Sequence, residues 1–174
     1  IEISQQKKNY AEWIETGLEG IKIVQDLIAQ PYDNYDEIYQ EKKEKHELNI
    51  YFKSYTSPEN SKINIMRCEW YVPCTPEQFI KFMHDFDEPA SLSKNSEEYK
   101  LVELFGESDE AKYAIYYIAY KKVLTAAPRD FVYLKNYKKL DENTWIDCSR
   151  SLEHQDYPEI QEKVRGKMIT CGHY

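Results

Sequence analysis

Tyr113-Ala-Ile-Tyr-Tyr-Ile-Ala-Tyr-Lys-Lys122 and, shortly after it, Phe131-Val-Tyr-Leu-Lys-Asn-Tyr137 are the stretches on which the fold turns. Both are rich in aromatic and β-branched residues and are bounded by turn-forming ones, so both read as strands. Side chains alternate between the two faces of a strand. In the first run, Tyr113, Ile115, Tyr117 and Ala119 fall on one face, and Ala114, Tyr116, Ile118 and Tyr120 on the other. A sheet with one face in water carries a polar residue at every second position. Here neither face can be given to bulk water. The second run repeats the pattern, with Lys135 the exception beside Phe131, Tyr133 and Tyr137. Two readings follow: a sheet covered on both sides, or a sheet whose concave face lines an apolar cavity with a few polar anchors. Periodicity alone does not separate them.

Outward from this centre, more strands appear. Asn49–Tyr55 and Lys62–Val72 form a hairpin across the turn cluster Ser57–Ser61, and Leu101–Phe105, Trp145–Leu152 and Val164–Tyr174 are further runs. Helices stand at the front. Residues 5–29 place Tyr10, Trp13, Ile14, Leu18, Ile21, Val24, Leu27 and Ile28 on one apolar stripe, which Pro31 ends. Gly17 and Gly20 each weaken that helix by ~1 kcal/mol relative to Ala. The segment 32–47 is polar, with a short strand near Ile38–Tyr39. Thr75-Pro-Glu-Gln78 is a helix start, with Thr as cap, Pro in the first turn and Gln closing a capping box. Phe79, Ile80, Phe82, Met83 and Phe86 follow at helical spacing, and Pro89 closes the helix. Strands run together with no helix between them, so the expected class is α+β with one antiparallel sheet.

The 174 residues fit one domain with one core, 1–174. The net charge of −8 speaks against a nucleic-acid partner, which selects for clustered Lys and Arg. Glycine-rich phosphate loops, nucleophile elbows and HExxH are missing. Cys68, Cys74, Cys148 and Cys171 have no metal-site spacing and read as reduced thiols packed as small hydrophobes. His46, His84, His154 and His173 are scattered, and each reads as a surface or satisfied histidine. Ser151, His154 and Asp156 lie too close along the chain to converge as a triad. Lys42–Lys45 mixes signs and reads as a solvated face. Sixteen tyrosines are an unusual number, and Tyr suits half-wet cavity walls.

Three motifs in order give a resemblance. Ala127-Pro-Arg-Asp-Phe-Val-Tyr-Leu134, then Ser149-Arg-Ser-Leu-Glu-His154 with Asp156-Tyr-Pro158, then Lys163-Val-Arg-Gly166 resemble the START domain, the steroidogenic acute regulatory protein-related lipid transfer domain. The match covers 45–174, with 5–29 as the family's first helix. It implies a helix-grip fold, in which a curved antiparallel sheet and a long C-terminal helix enclose a hydrophobic tunnel. It implies one bound lipid, a phospholipid or a sterol, a transient membrane surface as partner, no cofactor and no enzymatic chemistry. It also implies an intracellular site, cytoplasmic or peripheral to a membrane. The positions it marks as lipid-lining are Tyr116, Ile118, Phe131, Lys135 and Ile169, and the alternating faces of the two strands add Ala114, Tyr120 and Tyr133. The residues depart from particular members. Where phosphatidylcholine binders carry an Arg, this chain has Pro89-Ala-Ser-Leu-Ser93, and the three positions of the choline cage are Ile118, Phe131 and Ile169, one aromatic where a cage needs several. The sterol binders' acid and Arg are Tyr116 and Lys135 here. Arg129 and Asp130 read as an ion pair at a strand start, and Leu124–Pro128 as the family's mouth loop. The chain starts at Ile1 and stops at Tyr174, before the closing helix, so it reads as a fragment. An open face left by that helix would be covered by other protein subunits, and a structural or adaptor role without lipid transfer is the alternative function.

Overall fold

The first helix is the longest element. In the computed structural model, which describes residues 2–34, 36–43, 46–56, 62–84 and 94–174, helix α1 spans Glu2–Ile28. Its two glycines, unfavourable for a helix, sit where it meets the sheet. A Cβ on Gly17 would lie 3.0 Å from Asn136 Oδ1, and one on Gly20 would lie 2.4 Å from Cys148 Sγ. The lost propensity is offset by an approach close enough to bury Ile21 and Val24.

The chain groups into two units, one of residues 1–25 and 75–174 and the other of residues 26–74. The smaller holds a short 3-10 turn, Tyr32–Asn34, and a three-stranded antiparallel meander of β1 (Asp36–Lys43), β2 (His46–Thr56) and β3 (Lys62–Trp70). The β2–β3 hairpin forms as expected, and its turn, 57–61, lies outside the described residues. β1 is longer than its polar sequence suggested, because seven of its eight residues pair with β2, the register shifting between Glu37 and Tyr39. Arg67 ties the meander to the end of α1. It donates to the Ile28 carbonyl at 3.0 Å, pairs with Glu69 at 3.0 Å and lies 4.2 Å over the Tyr32 ring.

The larger unit holds helix α2 (Pro76–His84) and strands β4 (Ser96–Phe105), β5 (Ala111–Tyr120), β6 (Arg129–Lys139) and β7 (Trp145–Ser151), hydrogen-bonded antiparallel in that order. The α2 capping box is present: Gln78 N–H donates to Thr75 Oγ1 at 3.1 Å, and Thr75 N–H donates to Gln78 Oε1 at 3.0 Å. Residues 85–93, where the expected end of this helix and Pro89–Ser93 fall, lie outside the described residues. Among the described residues the strands form two hydrogen-bonded sheets where one was expected, within the expected α+β class. The run Val164–Tyr174 is also not one strand. Its start, β8 (Val164–Arg165), pairs parallel with the beginning of β6, and residues 168–173 then run antiparallel beside β7. The break falls at Gly166, where a Cβ would sit 2.1 Å from the Phe131 ring, so only glycine passes there.

Both faces of β5 and β6 are covered, but by different means. Ile115, Tyr117, Val132 and Leu134 pack under α1 with Trp13 and Ile14. On the opposite face, Ala114, Tyr116 and Tyr133 gather with Tyr99, Ile118 and Phe131, and α2 seats Ile80 against Tyr137 and Trp145.

Replacing Gly20 with Ala should lower stability by about 1–2 kcal/mol, since overpacking against Cys148 outweighs the ~1 kcal/mol gain in propensity. In a Cys148→Ala background the same change should be neutral or stabilising. Urea unfolding of the four proteins measures this, and a single mutant as stable as the parent would show that helix and sheet are not this close.

Candidate functional site

The alternation of β5 and β6 sends even-numbered residues of the first and odd-numbered residues of the second to the face away from α1. Three tyrosine rings lie across three strands there. Tyr99 stacks on Tyr116 with centroids 5.2 Å apart, and Tyr116 on Tyr133 at 5.9 Å. Offset stacking of this kind adds about 0.5–1.5 kcal/mol per pair beyond burial. Burial pushes the Tyr133 phenol well above its ordinary pKa, and its hydrogen bond with Tyr99 only partly opposes that, so the group stays neutral.

At the end of this face the rings give way to a pocket of about 490 Å³. Of the eight positions expected to line a ligand, Ile118, Tyr120, Phe131 and Tyr133 line it. Ala114 and Tyr116 lie deeper, in the same aromatic cluster. Lys135 is on the same face but gives its ammonium to the Met83 carbonyl at the end of α2. Burial pulls its pKa below the usual lysine value. Ile169 is 43% exposed, and the C-terminal segment meets the pocket through Met168.

Sequence reasoning missed Asn95, Met168 and the rim cations Lys121 and Arg129. Arg129 does not pair with Asp130. Asp130, 1% exposed, is held by a two-pronged contact from Arg165, with Nε and Nη2 each 2.9 Å from a carboxylate oxygen. Arg165 also donates to the carbonyls of Tyr157 and Pro158. Strand parity held the signal: Arg129 shares its side with Phe131 and Tyr133, and Asp130 shares its side with Val132, so neighbours in sequence face apart.

The lip of the pocket is a tight turn. Val123 and Ala126 exchange backbone hydrogen bonds at 3.3 and 2.9 Å, which forces Leu124 to φ +52°. For a residue with a branched side chain that conformation costs roughly 1–2 kcal/mol. Leu124 is also 91% exposed.

The other candidates do not assemble. The Ser151 hydroxyl accepts from Met168 N–H and His154 Nδ1 accepts from Asp156 N–H, while the His154 ring stacks on Trp13. Among the described residues no three His, Cys, Asp or Glu side chains converge as metal ligands. All four cysteines are free, but only Cys148 is buried; Cys74 and Cys171 are exposed, so packing as small hydrophobes does not describe them.

The START domain family model matches residues 33–173. The fold is similar to that of human StAR-related lipid transfer protein 5, at 16% identity and a TM-score of 0.71, covering 93% of this chain and 73% of that one. It is similar to human STARD10, at 14% identity and 0.65, covering 87% of this chain and 58% of that one. It also resembles a STAR-related lipid transfer protein from Xanthomonas axonopodis, at 19% identity and 0.54, covering 76% of this chain and 68% of that one. No curated protein matches the sequence.

The contrast between the two arginines is measurable. Arg165→Ala leaves a buried carboxylate without its partner and should cost about 3–5 kcal/mol, whereas Arg129→Ala at the exposed rim should cost less than about 0.5 kcal/mol. Denaturant unfolding that found the two equally costly would return Arg129 to a structural role.

Proposed function

The chain belongs to the START domain family, and from that premise we propose that it binds a single lipid and carries or senses it. The observation that carries this reading is the ring-lined face of β4–β6, which continues into a pocket of about 490 Å³. That volume lies within the usual range for a small-molecule site. An apolar chain or ring system leaves a bilayer when a dry space accepts it, at roughly 0.8 kcal/mol per buried CH₂. The lining residues are read as Ala114, Tyr116, Ile118, Tyr120, Phe131 and Tyr133, with Lys135 and Ile169 at the margins. No catalytic role is assigned to these residues. The single family match runs across both units, which supports reading 1–174 as one domain.

The lip supports a transient membrane contact. Between Glu110 and Asp130 the sequence has no carboxylate, although the chain is acidic overall. Lys121, Lys122 and Arg129 are exposed around the projecting Leu124. Each such cation adds about 1 kcal/mol near an anionic leaflet. No described helix is long and apolar enough to cross a membrane. Free thiols suit an intracellular site, cytoplasmic or at a membrane surface. A second reading, a surface for another protein subunit, rests on Met66, Trp70 and Tyr71, which stand 63%, 47% and 72% exposed on and just after β3.

Native mass spectrometry of the purified protein should show one lipid per chain, and Ile118→Asp should abolish it while the protein stays folded by circular dichroism. A folded parent that never takes up lipid from vesicles would remove the proposal and leave the protein-binding reading. Leu124→Asp should reduce sedimentation with anionic vesicles about tenfold, in line with burying one leucine side chain. Unchanged sedimentation would show that the lip is not the contact.

A further inference from the structure

Of the two buried polar side-chain atoms without a hydrogen-bond partner among the described residues, one is His84 Nδ1. His84 is the last residue of α2, and its side chain is wholly buried. Its other ring nitrogen, Nε2, lies 3.3 Å from Asp147 Oδ2. Asp147, on β7 and 2% exposed, receives His173 on its second oxygen, from the backbone N–H at 2.5 Å and from ring Nδ1 at 2.9 Å. One carboxylate therefore fastens two separate segments to the strand: the end of α2 and the C-terminal run beside β7.

We propose that this is an acid-released clasp: His84 holds α2 down only while its imidazole is neutral, and protonation unseats the helix from β6 and β7. The proton positions follow from the partners. Burial alone would raise the Asp147 carboxyl, but the hydrogen bonds from His173 and His84 hold it below the usual carboxylate range, so it is ionised and can only accept. His84 Nε2 must carry the proton, and Nδ1 is a bare nitrogen. Acidification places a second proton on Nδ1, a buried donor that no group among the described residues receives. The neighbours divide. From β6, the Tyr137 ring stands edge-on at 4.8 Å, and the Lys135 ammonium binds the carbonyl of Met83, the residue before His84. Lys112 on β5 adds a weaker repulsion, and Asp147 attracts. The C-terminal segment brings His173 and Cys171 to the same carboxylate and lysine. Burial outweighs the attraction and keeps the His84 pKa below its ordinary value.

The sign follows. An unfolded or unseated histidine binds its proton near pH 6.5, and the seated one refuses it. The seat is therefore fully stable above that value and weakens as pH falls below it, while Asp147 stays ionised. Unseating α2 uncovers Tyr137, on the same face of β6 as Phe131 and Tyr133, and Trp145 at the start of β7. The clasp itself needs no ligand and stands apart from lipid binding.

Hydrogen exchange on the lipid-free chain tests it, with rates corrected for the intrinsic effect of pH. Between about pH 7.5 and about pH 5, α2 amides should lose protection about tenfold more than those of β5 and β6, as a locally opening segment does. In His84→Gln, whose amide donates to Asp147 but does not titrate, α2 should be equally protected at both values. An equal loss in the variant, or no loss in the parent, overturns the clasp. Should the variant fail to fold, the parent's own His84 ring signals decide. Charging well below the ordinary histidine value, together with movement of α2 resonances, supports the clasp. Charging near pH 6.5 with α2 still seated refutes it.

Discussion

Two adjacent strands with apolar residues on both faces cannot leave either face in water, and the rest of the larger unit is arranged around that. Ile115, Val132, Leu134 and Ile146 are at 0% exposure. Fully burying each such side chain contributes about 1.5–3 kcal/mol. The side under α1 is closed by direct approach. Gly17 and Gly20 let the helix backbone come near, the Asn136 amide donates to the Gly17 carbonyl at 3.4 Å, and Tyr10 and Trp13 reach Glu103 and His154 farther along. The other side has no long helix among the described residues. It is closed by rings that stack on one another, and stacked rings spread across a surface instead of interdigitating with an opposing layer. That difference in covering is why the pocket of about 490 Å³ opens on the side away from α1.

Much of this was legible in the sequence, and for identifiable reasons. The capping box at Thr75–Gln78 is local chemistry that needs no tertiary partner, and it forms as expected. The doubled apolar pattern of 113–120 is a statement about faces, and both faces are covered. What the sequence did not give away depends on pairs far apart in the chain. A glycine in a helix looks like a fault until the strand beneath it is known. Arg129 and Asp130 look like a pair because they are adjacent, but adjacency on a strand separates side chains, and the true partner, Arg165, stands 35 residues away. Val164–Tyr174 looks like one strand because its composition is uniform, and the ring of Phe131 divides it.

Helix α2 shows how much the structure can hang on few contacts. It has nine residues, too few to persist as a helix in water on propensity alone. Its order must come from what it rests on. At the start that is the Thr75–Gln78 exchange. In the middle it is Ile80, 2% exposed between Tyr137 and Trp145. At the end it is Asp147 and the Lys135 bond to Met83. The first two are insensitive to pH in the physiological range, and the third is built from a carboxylate, a lysine and an imidazole. A short helix whose last turn is held by titratable groups, and whose other contacts are a capping box and apolar packing, will open from that end first.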